Sequence, residues 1–185
     1  MQCSNCGQPM ESEYESDAIR EVFPDLFEEV GWGQETEFGP VLSEAPSRGA
    51  PVVSCRPPIV LDGFRTGEYA LRTHHYVRLL PLPLPAPVIV IRGHTDNQGN
   101  TVSNQGLSLS RAFEVLQWLT HRNGAKQIAG RVIIEAVGPA APVASNATED
   151  GRSRNRRVEI FLCQAPPPPP QVASAVRIQM ARRVA

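Results

Sequence analysis

The residues Val88-Ile89-Val90-Ile91-Arg92 begin with four consecutive β-branched side chains, stand between Pro87 and Gly93, and predict a buried strand. A polar stretch from His94 to Gly106 follows, holding Asp96 and the turn formers Asn97, Gly99, Asn100, Asn104 and Gly106, and it reads as a loop. Leu109, Ala112, Val115, Leu116 and Leu119 then recur at helical spacing, which predicts a helix capped by Ser108 or Ser110 and closed by Asn123-Gly124. Strand, loop and helix in this order bring the carboxyl end of the strand and the amino end of the helix to one sheet edge, where open α/β sheets bind ligands. Asp96 and Arg111 are expected to converge there.

The remaining pattern supplies a frame. Ile59-Val60-Leu61 reads as a strand and Tyr69–Leu80 as a helix, with Leu71, His75 and Leu79 near helical spacing. The prolines from Pro81 to Pro87 forbid helix and force an extended connection. Arg131–Val137 predicts a further strand and Gly138–Gly151 a loop. In Arg156–Leu162, Val158, Ile160 and Leu162 alternate with Arg157, Glu159 and Phe161, so one face turns to the core. Upstream, Glu15–Val30 suggests a short helix pair broken at Pro24, and a glycine- and proline-punctuated linker runs from Gly31 to Pro58. Downstream, Pro166–Pro170 is a stiff polyproline spacer, and the basic, weakly amphipathic tail after it is read as solvated.

A length of 185 residues with 41% hydrophobic content fits one folded domain with extensions. No run of 18 apolar residues is present, so no membrane span is expected. Gln2-Cys3-Ser4-Asn5-Cys6 and then acidic residues follow Met1, a start without the basic and apolar regions of a secretory signal. The net charge of −1 hides an asymmetry: residues 1–45 hold eleven acids and one Arg, and the other eight acids and seventeen bases lie beyond them.

Candidate chemistry is limited. Asp96 and Arg111 either neutralise one another or clamp a ligand that carries both an ammonium and a carboxylate, the helix amino end favouring the carboxylate on the Arg111 side. Cys3 and Cys6 form one CxxC, half of a zinc ribbon, and are weak metal candidates because structural zinc takes four ligands. Cys55 and Cys163 flank the expected domain and can pair if their strands are antiparallel neighbours. His74 and His75 read as surface or satisfied core residues, and His94 as a loop support acting through hydrogen bonds. No nucleophile–base–orienter set stands out. Arg152, Arg154, Arg156 and Arg157 make a basic cluster of the kind that binds phosphates, but it is short and lacks interleaved aromatics.

The segments IRGHTDNQGN, NQGLSLSRAFEVLQWL and AAPVASNATEDGRSRNRRVEIFL, in this order, resemble the OmpA-like (OmpA/MotB type) peptidoglycan-binding domain. The likeness extends upstream through PPIVLDGFRTGEYALRTHHYVRLL, covering about Pro57 to Cys163. It departs from the family at Pro81–Pro87, where a longer helix is usual, and at Ala136-Val137-Gly138, where an aromatic is common, so one pocket wall is expected to differ. The resemblance implies an α/β fold of the α+β type, a two-layer sandwich of βαβαβ(α)β order with helices on one face of a mixed four-stranded sheet. The layout is then an acidic, poorly structured extension (1–56), the domain (57–163), and a linker with basic tail (164–185). The implied function is non-catalytic binding of peptidoglycan through the diaminopimelate of its peptide stem, anchoring a cell-envelope component in the periplasm or at the outer membrane, without a cofactor. Asp96 would take the ammonium and Arg111 the carboxylate. Thr95 and Asn104 would orient the loop or add polar contacts, and Asn155, Arg156 and Arg157 match the family block and complete the expected site. The resemblance also implies other envelope proteins as further partners; nucleic acid is not expected. The alternative is the same fold used as a protein–protein scaffold, with a nucleic-acid module less favoured.

Overall fold

The computed structural model of the chain describes residues 32–35, 55–123, 130–167 and 176–182. In chain order the elements are β1 (Trp32–Glu35), β2 (Ile59–Leu61), α1 (Thr73–Leu79), β3 (Val88–His94), α2 (Thr101–Asn123), β4 (Arg131–Gly138), α3 (Glu149–Asn155), β5 (Val158–Cys163) and β6 (Val176–Arg182). The strands form one mixed sheet in the order β1-β6-β4-β3-β5-β2. β3 and β4 are parallel, joined through α2, and every other neighbouring pair is antiparallel.

The β-branched run at 88–91 sits at the centre because it is apolar on both sides. Ile89 and Ile91 face the helices with Val132, Ile134, Val158, Ile160 and Leu162, packing against Leu79, Phe113, Val115, Leu116 and Leu119. Val88 and Val90 face the other way and join Ile133 and Cys163 in a second cluster. α2 lies close to the sheet at Gly93, where an added Cβ would sit 1.9 Å from the Ser108 carbonyl oxygen. That approach fixes the helix over the carboxyl end of β3.

Four expectations need correction. The sheet has six strands rather than four, because Trp32–Glu35 and Val176–Arg182 add to the β4 side. The tail read as solvated thus supplies β6, with Ile178 buried in the main core. The segment is a strand because it pairs with β4, Ile134 standing opposite Ile178. α1 spans Thr73–Leu79 and is shorter than the Tyr69–Leu80 expected. α2 starts at Thr101, so Asn104 and Gly106 are helical. Asn100 caps it, its Oδ1 accepting from the Ser103 backbone N–H at 2.8 Å. Ser108 and Ser110 instead donate back to the Gln105 and Gly106 carbonyls.

Cys55 bridges Cys163 in antiparallel register, and the two sulfurs are bonded, so the conditional pairing is realised. The helix pair at 15–30 and the CxxC at Cys3 and Cys6 lie outside the described residues. Among the described residues no helix is long and apolar enough to cross a membrane.

Candidate functional site

The site forms where β3 ends. The turn after it is set locally: the Asp96 Oδ1 accepts from the Gln98 N–H at 3.1 Å, and Gly99 takes a φ of +88°, a region that side-chain-bearing residues rarely adopt. Asn104 reaches back from the first turns of α2 and donates to the Gln98 carbonyl at 2.9 Å. Thr95 is held by its backbone N–H, which donates to the Gly138 carbonyl at 3.0 Å. Asn104 and the Thr95 backbone therefore brace the loop that presents Asp96.

The antiparallel register of β5 on β3 pairs Gly93 with Val158, which carries Arg156 alongside Asp96. Arg156 Nη1 donates to Asp96 Oδ2 at 2.8 Å, Nε to the Phe64 carbonyl at 2.6 Å, and Nη2 to Glu149 Oε1 at 2.5 Å. Asp96 and Arg156 are buried, whereas the Glu149 side chain is 61% exposed. Burial alone would lower the Arg156 pKa, but the bonds from Asp96 and Glu149 outweigh it and raise the value above the usual one. The same bond to Arg156 holds the Glu149 carboxyl below its usual range.

Arg111 reaches this edge but does not pair with Asp96. It is wholly buried, and its Nε, Nη1 and Nη2 donate to the carbonyls of Glu68, His94 and Arg65 at 2.9, 2.9 and 3.2 Å. Its guanidinium carbon also lies 5.1 Å from the centre of the Phe64 ring. Burial pulls its pKa down to about 10, with Asp96 opposing that shift and Arg156 adding to it, so Arg111 remains cationic at neutral pH. The earlier start of α2 also places Arg111 about 15 Å along the helix from Thr101. The helix amino end therefore adds nothing to its charge.

The other expected residues divide by role. Asn155 accepts from the Val143 and Ala144 N–H groups at 2.8 and 2.9 Å and donates to the Ala144 carbonyl and Asn146 Oδ1, so it staples the 143–146 loop. Arg157 lies against Glu159 Oε1 at 2.8 Å and the Ala141 carbonyl at 3.2 Å, not against Asp96. Of the two arginines, Arg156 faces the site. His94 supports the loop through its backbone, donating to the Arg157 carbonyl at 2.9 Å and accepting from Arg111, rather than through its ring. Both ring nitrogens and the Thr95 hydroxyl are buried without a hydrogen-bond partner among the described residues, although His94 Nε2 comes within 3.4 Å of Glu159 Oε2. His75 is buried and satisfied, bonding the Asp62 carbonyl and the Arg72 N–H. His74 also contacts the Asp62 carbonyl, at 3.0 Å, from a more exposed position.

The basic cluster is paired throughout: Arg152 with Glu149, Arg154 with Asp150, Arg156 with Asp96 and Glu149, and Arg157 with Glu159. Sequence reasoning missed Glu149 and the Phe64 carbonyl. Glu149 had a signal, since it stands seven residues before Arg156, about two helical turns along the same face. The Phe64 carbonyl had none, because a backbone acceptor 92 residues away carries no residue-type signature.

A family model described as the OmpA family matches residues 64–156, half of the chain. Outer membrane porin F of Pseudomonas aeruginosa is 43% identical over 75 residues, which are 40% of this chain and 21% of that protein. Peptidoglycan-binding protein ArfA of Mycobacterium tuberculosis is 42% identical over 79 residues, 42% of this chain and 23% of that protein. The chain thus spans less than a quarter of these curated relatives. Among solved structures, the cell wall anchor of the T6SS from Pseudomonas aeruginosa aligns at 28% identity with a TM-score of 0.43, over 56% of this chain and 78% of that one. The family match runs from Phe64 to Arg156, the two residues that close the site at either end, and the chain belongs to the OmpA family.

Proposed function

We propose that this chain binds peptidoglycan without catalysis, through the zwitterionic end of the diaminopimelate in the peptide stem, and so anchors a component of the cell envelope. The carrying observation is a buried carboxylate, Asp96, at the carboxyl end of β3, bonded to the Arg156 guanidinium and felt electrostatically by the buried guanidinium of Arg111. Family membership and a relative named for peptidoglycan binding support the reading. The envelope, at the periplasmic face of the outer membrane, is the corresponding location, and other envelope proteins are its natural further partners.

The chemistry suits an ammonium and a carboxylate held together. Asp96 uses one lone pair on each oxygen for Gln98 and Arg156 and retains others for an ammonium. A guanidinium carries five N–H groups, and three carbonyls occupy three of those on Arg111. A ligand carboxylate takes the remainder, or replaces neutral carbonyls by a stronger charge-assisted pair. Entry requires the exposed residues 65–68 to move, because two of their carbonyls lie on Arg111. Thr95 and Asn104 hold the loop; Asn155 and Arg157 act from outside it as supports. One clamped residue buries little area, so single-site affinity is modest and a polymer with many stems adds avidity.

The test is sedimentation of the full chain with isolated peptidoglycan, with Asp96→Asn alongside and free diaminopimelate as competitor. Pelleting of the wild type, loss in the variant and release by diaminopimelate are expected. A folded wild type that stays in solution sinks the proposal. That result would favour the scaffold alternative, which the internal pairing of Asp96 with Arg156 already suits.

A further inference from the structure

Glu149 is the exposed member of an otherwise buried group, and its carboxylate is oriented on both sides. Oε1 accepts from Arg156, and Oε2 accepts from Arg152 Nε at 3.0 Å and lies 2.9 Å from Arg152 Nη2. The residue opens α3, where the Thr148 hydroxyl accepts from the Gly151 N–H at 3.2 Å and fixes the first turn. Arg156 is therefore shared between two carboxylates, one buried and one at the rim, while its Nε is pinned to the Phe64 carbonyl.

This sharing bears on any ligand that brings a positive charge to Asp96. An arriving ammonium meets a guanidinium already bonded to the same carboxylate, and the two cations repel. Arg156 cannot follow solvent outward, because it is buried and held at Nε. The remaining way to relieve the conflict is to carry more of the Arg156 charge on a second acid.

We propose that Glu149 is a positioning residue that draws Arg156 off Asp96 and so sets how well the site accepts an ammonium. The inference rests on the functional reading above and deepens it, adding a residue outside the Asp96 loop and α2 that tunes which ligand charge is admitted. A site with Glu149 prefers a zwitterion. Without it, the two guanidiniums outweigh the one remaining acid, and the preference moves toward a plain dicarboxylate.

The experiment measures free diaminopimelate binding to the full chain by calorimetry, for wild type, Glu149→Gln and Asp150→Asn. Asp150 stands in the same helical turn and pairs with Arg154 at 3.0 Å, so its variant removes the same amount of charge from the start of α3 while leaving Arg156 alone. Glu149→Gln is expected to weaken diaminopimelate about three- to tenfold, the scale of one partly screened charge, and Asp150→Asn to leave it within twofold. Pimelate, the same dicarboxylate without amino groups, should bind Glu149→Gln at least as well as wild type. Equal effects of the two substitutions on diaminopimelate, or none, overturn the proposal; so does a parallel loss of pimelate, which would mark a collapsed site. Wild type that binds no diaminopimelate overturns the functional reading, and this inference falls with it.

Discussion

Arg156 Nη1 donates to Asp96 Oδ2 at 2.8 Å with both side chains buried, so the residue expected to meet a ligand ammonium is also the main counter-charge of a buried guanidinium. Removing one partner of a buried ion pair leaves an uncompensated charge, a change that costs about 3–5 kcal/mol. Glu149 remains as a second acid, which places Asp96→Asn near the lower end, about 3 kcal/mol. Chemical denaturation of the full chain measures it, and a loss below about 1 kcal/mol would show that Glu149 alone satisfies Arg156.

The close approach of α2 to β3 makes two glycines behave oppositely. At Gly93 a Cβ meets the Ser108 carbonyl oxygen at 1.9 Å, and backbone cannot rotate away as a side chain can. Gly93→Ala should therefore cost about 3 kcal/mol, the upper part of the overpacking range. Gly106 lies inside α2 with nothing within 4 Å of its added Cβ, so Gly106→Ala should gain about 0.8–1 kcal/mol in helix propensity. Thermal unfolding of the two variants should move in opposite directions. A stabilised Gly93→Ala would mean that the helix sits farther from the strand than the structure has it.

These contacts also show what the sequence could carry. Val88–Ile91 and Ile133–Ile134 were legible as strands because β-branched residues in short bounded runs pack well in buried sheet. The first two turns of α2 were not, since Asn104 and Gly106 are turn formers by composition and are helical because Asn100 caps the chain ahead of them. Asp96 was identified at its correct place at the end of β3. Its ion pair with Arg156 was not legible, because the pairing depends on β5 lying beside β3, a relationship 60 residues long in sequence. The three carbonyls that Arg111 bonds were not legible either, because backbone acceptors leave no trace in residue type.

On the sheet face away from the helices, Glu159 sets an acid dependence. Burial raises its carboxyl pKa, but His94 at 3.4 Å and Arg157 at 2.8 Å overcome this and lower it from 4.5 to about 2. A carboxyl depressed in the folded state stabilises the fold above its unfolded pKa and loses that contribution as pH falls from about 4.5 toward 2. The shift corresponds to about 3 kcal/mol. His94 adds a loss with the same sign in a higher window: burial lowers its pKa, so the unfolded chain takes up the proton first as pH falls below 6.5. Glu159→Gln should flatten the stability profile between pH 4.5 and 2 while retaining the decline that begins near 6.5. An unchanged slope below pH 4.5 in denaturant titrations would assign the acid sensitivity elsewhere.

The last strand tests whether the fold ends where the family match ends. β6 lies beyond residue 156 and past the proline-rich spacer, yet it pairs with β4 from Val132↔Met180 to Ala136↔Val176. Its two sides have different work. Ile178 enters the core beside the helices, whereas Arg177 Nε stands 3.5 Å from the wholly buried Glu135, which also accepts from Arg92 at 2.8 Å. A slip of one residue would exchange these faces and put the arginine into apolar packing, so the register is strongly fixed. Ile178→Ala should cost about 2–4 kcal/mol as a buried large-to-small change, and Arg177→Ala should cost less, because Arg92 continues to hold Glu135. Hydrogen exchange at the β4 amides distinguishes a local from a global role. If β6 is integral, Ile178→Ala lowers protection at Val132, Ile134 and Ala136 together with that of β3. Loss confined to residues 176–182 would instead make the tail a dispensable addition to a sheet that is complete without it.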